Sequence, residues 1–202
     1  MVGRPVLVVA AFVAAGVVTG CSGSHDPAPR TTPSPTPIGK LQPGSVRLVR
    51  AGFCDRLPGS AVTAALCGRP TGDQSWGNGD PVPDATGSSG DVGHEIGCGW
   101  TGADGAVARA WVFARPVPSA FATSLVGQAG RQQGCTAAAA PVLGSPSVLQ
   151  TCTLPGNVER VRRAGLFGDT WLTCELSGAP APDLEKRTDR WCAAVVGAVA
   201  GG

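Results

Sequence analysis

The residues suited to bond-making chemistry are few, and their spacing does not bring them together. Two histidines occur, His25 and His94. A nucleophilic triad needs a base beside a nucleophile and an acid that orients the base. Ser88, Ser89 and Asp91 lie just before His94, but neither serine sits in the G-x-S-x-G turn that exposes a nucleophile. A solvated loop histidine is the simpler reading of His94. Asp73, Asp80, Asp84, Asp91 and Glu95 fall in or beside one glycine-rich stretch. Calcium favours oxygen-rich loops, yet the EF-hand spacing is missing. No metal and no cofactor is expected. Glu95, Glu159, Glu175 and Glu185 could supply the two acids of a glycoside hydrolase, but nothing in the sequence pairs them. No catalytic set is assigned.

Two features suit binding better. Arg160, Arg162 and Arg163 form the sharpest basic cluster. On a strand, Arg160 and Arg162 point the same way, where they could receive a phosphate or a carboxylate. Arginines of this kind also solvate an exposed edge strand and block its pairing. Trp76, a large aromatic in a polar stretch, is either a local plug or a ligand contact. Trp100 lies two residues from Cys98 and suggests an aromatic packed on a disulfide. Fifteen basic residues remain against fourteen acidic once Arg4 is removed. That balance leaves no footprint for nucleic acid.

The start of the chain decides where this chemistry would operate. Arg4 precedes residues 5–20, PVLVVAAFVAAGVVTG, a run without charge. A spanning helix needs about 20 apolar residues. A shorter run after a positive start reads as a secretory signal peptide, residues 1–20. Val18-Thr19-Gly20-Cys21 resembles the lipobox of bacterial lipoproteins, which implies a diacylglyceryl group on the Cys21 thiol. Two acyl chains anchor stably where one binds only marginally. Residues 21–46 are then the lipidated cysteine and a Pro/Ser/Thr-rich tether with almost nothing apolar to bury. The expected location is the outer face of the cell membrane, with membrane lipid as one partner.

Residues 47–202 suit a single domain. Seven cysteines remain there: Cys54, Cys67, Cys98, Cys135, Cys152, Cys174 and Cys192. No C-x-x-C pair occurs, so zinc and thioredoxin-like chemistry lack support. Disulfides are expected in an oxidising compartment. Cys174 with Cys192 would pin a helix to the sheet. Cys135 with Cys152 would close the loop between a helix and its next strand. Cys54 with Cys98 would tie the first segment to a central strand, leaving Cys67 as a free thiol. The rival pairing Cys54–Cys67 would free Cys98, and connectivity does not follow from sequence.

The elements read in chain order. Residues 53–67 suit a loop and a short helix, with Ser60 as N-cap and Gly68 as the stop. Residues 69–93 show no convincing element. EIGCGWTG and AVARAWVFAR flank an Asp104-Gly105 turn and read as a hairpin. The heavier face of the second strand, with Trp111 and Phe113, is expected to be buried. Ser119 can cap a helix carrying Phe121, Leu125 and Val126. Strands follow at 147–153 and on either side of Gly168. Asp183 can cap a last helix whose Leu184, Trp191, Cys192, Val195 and Val199 share one side. Hairpin-linked strands favour an α+β fold: an antiparallel sheet of about 4–6 strands, helices mainly on one face, stapled by disulfides.

Phe53-Cys54-Asp55-Arg56-Leu57, the short helix ending at Gly68 and Cys98-Gly99-Trp100 before a strand together resemble actinobacterial cell-envelope lipoproteins of unknown function. Members share an early cysteine, a C-x-W strand and a terminal alanine-rich helix. The resemblance implies an extracytoplasmic domain and brings no activity with it. The leading reading is a non-catalytic envelope binding, sensor or accessory domain, with an envelope protein or cell-wall ligand as partner. The alternatives are an envelope hydrolase using His94 or acidic residues, and a carrier of an apolar ligand beneath the helices.

Overall fold

The computed structural model describes residues 36–42, 44–81, 93–140 and 143–200. The expected signal peptide, Cys21 and the tether up to residue 35 lie outside the described residues, as do Asp84, Ser88, Ser89 and Asp91.

Seven strands are described: β1 Pro70–Trp76, β2 Glu95–Gly102, β3 Val107–Phe113, β4 Cys135–Ala139, β5 Ser147–Leu154, β6 Val158–Phe167 and β7 Thr170–Gly178. They form one antiparallel sheet in the order β1-β2-β3-β7-β6-β5-β4. Two meanders, β1-β2-β3 and β4-β5-β6-β7, therefore meet where β3 pairs with β7. The glycines of the tight turns make this connectivity possible. Gly105 (φ 80°) and Gly168 (φ 62°) take the left-handed conformation that side chains disfavour.

Three helices cover the sheet: α1 Gly59–Leu66, α2 Ser119–Ala129 and α3 Leu184–Val199. The fold is thus α+β, as the hairpins imply, with one strand more than the expected range. Helices α1 and α3 lie on one face and α2 on the other. Helix α2 seals a small second core of Val117, Ala122, Val148, Ala164, Leu166 and Trp171.

The main core follows strict strand alternation. Ala108, Ala110 and Val112 of β3 and Leu172, Cys174 and Leu176 of β7 all point at α3. Here the expectation for β3 is reversed: the light alanine face is fully buried, while Trp111 and Phe113 are only half-buried. Volume explains it. Alanines at 108 and 110 leave room for Trp191, which is 1 % exposed, to lie against the strands. Its Nε1 donates to the Arg109 carbonyl at 3.0 Å. Trp100 meets the same ring edge-on, with centroids 5.6 Å apart. Such a pair adds about 0.5–1.5 kcal/mol beyond area burial.

Strand β1 corrects the reading of residues 69–93 as free of structure. It is an edge strand with little apolar alternation, and only Trp76 is buried along it. The signal for such a strand lies in its partner, β2, rather than in its own sequence. Trp76 is accordingly a buried strand residue and not a loop residue.

The disulfides Cys54–Cys98, Cys135–Cys152 and Cys174–Cys192 form, with Cα–Cα distances of 5.9, 4.0 and 5.6 Å. Cys67 is disulfide-bonded as well, so the expectation of a free thiol there is corrected. Cys67 is exposed and caps α1 in the left-handed conformation (φ 54°).

Of these bridges, Cys174–Cys192 carries the most packing, because it fastens α3 to a strand at the sheet centre. Replacing both cysteines with alanine is expected to cost about 2–5 kcal/mol, read as a lower midpoint in urea unfolding. An unchanged midpoint would show that the apolar contacts of α3 suffice alone.

Candidate functional site

The sheet face opposite α3 is covered by α2 only at its β5 and β6 side. Across the rest, the register gathers polar and aromatic side chains that are far apart in sequence. One row runs Gln74, Gly99, Arg109, Glu175, Arg162 and Gln150, each paired with its neighbour across adjacent strands. A parallel row begins Trp76, Gly97, Trp111 and Thr173. Arg160 stands two residues from Arg162 on the same face.

Glycine shapes the aromatic end. A Cβ on Gly97 would come within 2.5 Å of the Trp76 ring and 2.7 Å of Trp111 Cβ. The bare backbone at 97 thus lets Trp76 lie across β2 against Trp111. Trp76 is buried there, and its Nε1 has no hydrogen-bond partner among the described residues.

The charged centre is built around Glu175, whose side chain is 8 % exposed. It accepts from Arg162 Nε at 2.7 Å and lies 3.9 Å from Arg160 Nε. The Arg162 guanidinium stacks 5.3 Å from the Trp111 ring centre, a cation–π contact. Arg160 also donates to Gln132 Oε1 at 3.4 Å and to Cys152 Sγ at 3.1 Å. Arg109 faces Glu175 across β3–β7, but its side chain donates no hydrogen bond among the described residues, and its Nε is buried unpaired. Burial, followed by repulsion from Arg162, holds the Arg160 pKa below its ordinary value, with Arg109 adding to the effect.

The arginines are not explained by edge protection. Strand β6 is interior, between β7 and β5. Arg163 is separated from the cluster by alternation: it crosses to the α3 face and pairs with Asp189 and, at 3.2 Å, with Glu185. Sequence reading missed Arg109, Glu175 and Trp111 as members of the site. Their only signal was two-residue periodicity on strands whose pairing was not yet known.

The other candidates do not assemble. His94 is exposed. Asp80 caps its own turn, accepting from Gly77 N at 2.7 Å. No group of three metal-ligating side chains occurs among the described residues. Glu159 and Glu185 lie away from the cluster. A concavity of about 850 Å³ runs between α1 and α3. Ala61, Ala64, Ala194 and Gly197 line its floor, and Arg56 and Arg190 its rim. Small residues open this groove between the two helices. No described helix is long and apolar enough to cross a membrane.

No protein-family model matches the chain, and no curated protein matches it. Among solved structures, the chain is similar to the extracellular domain of PknH from Mycobacterium tuberculosis, at 15 % identity and a TM-score of 0.43. The match covers 70 % of this chain and 92 % of that one. A likeness this distant bears no functional weight.

Glu95, on the same face, has its pKa raised from 4.5 to about 7. Burial is the main cause, opposed by Arg162 and the Trp111 indole and aided by Glu175. The folded state therefore binds more protons than the unfolded chain between about pH 4.5 and 7. Stability should fall as pH rises through that window. Glu95→Gln is expected to flatten the profile and to exceed the parent in stability above pH 7. Parallel pH slopes in thermal melts would contradict the assignment.

Proposed function

We propose that this chain is a lipoprotein held on the outer face of the membrane through Cys21. Its folded domain is a non-catalytic binding or sensor domain for an envelope partner, and the helix-free part of the sheet is the binding face. The observation that carries this reading is the row Arg109–Glu175–Arg162 with Arg160, Trp111 and Trp76 beside it. Arg109 and Trp76 each leave a buried donor unpaired on this face among the described residues, and a ligand that met them would relieve a cost of about 1–3 kcal/mol per group.

Further support comes from the disulfides, which persist in oxidising compartments. The two segments that resemble actinobacterial lipoproteins, Phe53–Leu57 and Cys98–Trp100, are joined by the Cys54–Cys98 bridge. Glu175 is engaged by arginines, so Glu95 and Glu175 read as an electrostatic set rather than as an acid and a nucleophile.

Two measurements test the proposal. Metabolic labelling with a fatty acid should mark the parent and not Cys21→Ala; equal labelling would remove the anchor. Soluble cell-wall fragments added to the mature chain should shift the indole signals of Trp76 and Trp111 in NMR and leave the fragments intact. Fragment cleavage abolished by Glu95→Gln would replace binding with the hydrolase reading. Shifts confined to Trp191, beside the α1/α3 groove, would move the binding face.

A further inference from the structure

The arginines of this protein fall into two groups. Away from the open sheet face, each arginine most deeply buried has a carboxylate of its own. Arg163 has two, Glu185 and Asp189. Arg187 has Asp183 at 3.3 Å. On the open face the guanidiniums of Arg160 and Arg162 meet the single carboxylate of Glu175, and Arg109 stands in register with Glu175 on the neighbouring strand without an ion pair of its own among the described residues. One negative charge cannot balance three positive ones. A further acid on this face, Glu95, interacts with Arg162 and Glu175, and burial raises its pKa to about 7.

The excess is held in place and partly out of water. The Arg160 side chain is 13 % exposed and that of Arg162 26 %. Arg162 is fixed by Glu175 on one side and by the Trp111 ring beneath it. Arg160 is fixed by Gln132 and Cys152. Arg109 is anchored only by its strand, and its side-chain donors are uncommitted among the described residues. Confining like charges in a poorly solvated place is costly unless an anion joins them.

We propose that Arg109, Arg160 and Arg162 form a binding site for an oxyanion, the carboxylate or phosphate group of an envelope ligand. This deepens the binding reading above and rests on it. The guanidinium fork matches planar or tetrahedral oxyanions by paired N–H donors. Arg109 supplies the free fork, and Arg160 and Arg162 supply charge from the opposite side of Glu175. Trp111 and Trp76 continue the same surface, so a ligand carrying an apolar or ring portion would lay it over β2 and β3.

The test uses the mature chain with its tether. Inorganic phosphate and acetate are titrated separately by calorimetry at fixed ionic strength, with chloride as the reference anion. Saturable binding of at least one probe is expected, and the stronger probe identifies the ligand class. Arg109→Gln should weaken it by about tenfold or more, the equivalent of one charge-assisted hydrogen bond. Arg115→Gln, an exposed change of equal charge, should leave it unaltered. Because Arg109 contributes no side-chain bond to the fold, its variant should melt close to the parent. Absence of saturable binding by either anion overturns the proposal, and so does equal weakening by both variants. Wall fragments that shift Trp76 and Trp111 independently of Arg109 would overturn the oxyanion site and leave the binding face standing.

Discussion

Pairing of β3 with β7 holds the rest of the structure in place. These two strands come from separate meanders, and their ladder turns two small sheets into one of seven strands. On one side of the ladder, the light face of β3 and the leucines of β7 make the bed for α3. On the other side, the same ladder sets Arg109 opposite Glu175, and the β7–β6 ladder sets Glu175 opposite Arg162. One long-range contact therefore fixes both the core and the charged row.

The two faces use opposite physical strategies. The α3 face is apolar, closely packed and cross-linked, with its buried arginines Arg163 and Arg187 paired to acids. The open face spends its burial on guanidiniums, a glutamate and indoles, and keeps a surplus of positive charge. A domain with five tryptophans, four phenylalanines and no tyrosine has limited apolar area to bury. Disulfides between strand and helix, between neighbouring strands and between the first segment and β2 compensate. With the core secured on one side, the other face can carry charge at a tolerable cost in stability.

Much of the fold is legible in the residues. Strand alternation, the Asp104-Gly105 turn and the helical spacing of Leu184, Trp191, Cys192, Val195 and Val199 are local signals, and local signals survive in a single sequence. Edge strand β1 is not legible, because its pairing partner and not its own residues makes it a strand. The burial of the two β3 faces runs against side-chain size. Side-chain size suggested that Trp111 and Phe113 go inside, whereas the deciding quantity is the space that Ala108 and Ala110 leave for Trp191.

The sequence by itself determined the class of the fold, the three bridges as one of two open pairings, and the shared direction of Arg160 and Arg162. These follow from period, spacing and residue chemistry, which need no knowledge of distant neighbours. Only the tertiary structure decided that β6 is interior, that Arg163 leaves the cluster for α3, and that Arg109 and Glu175 enter it. Strand order is set by contacts between residues some 65 positions apart, and no local pattern encodes such a contact.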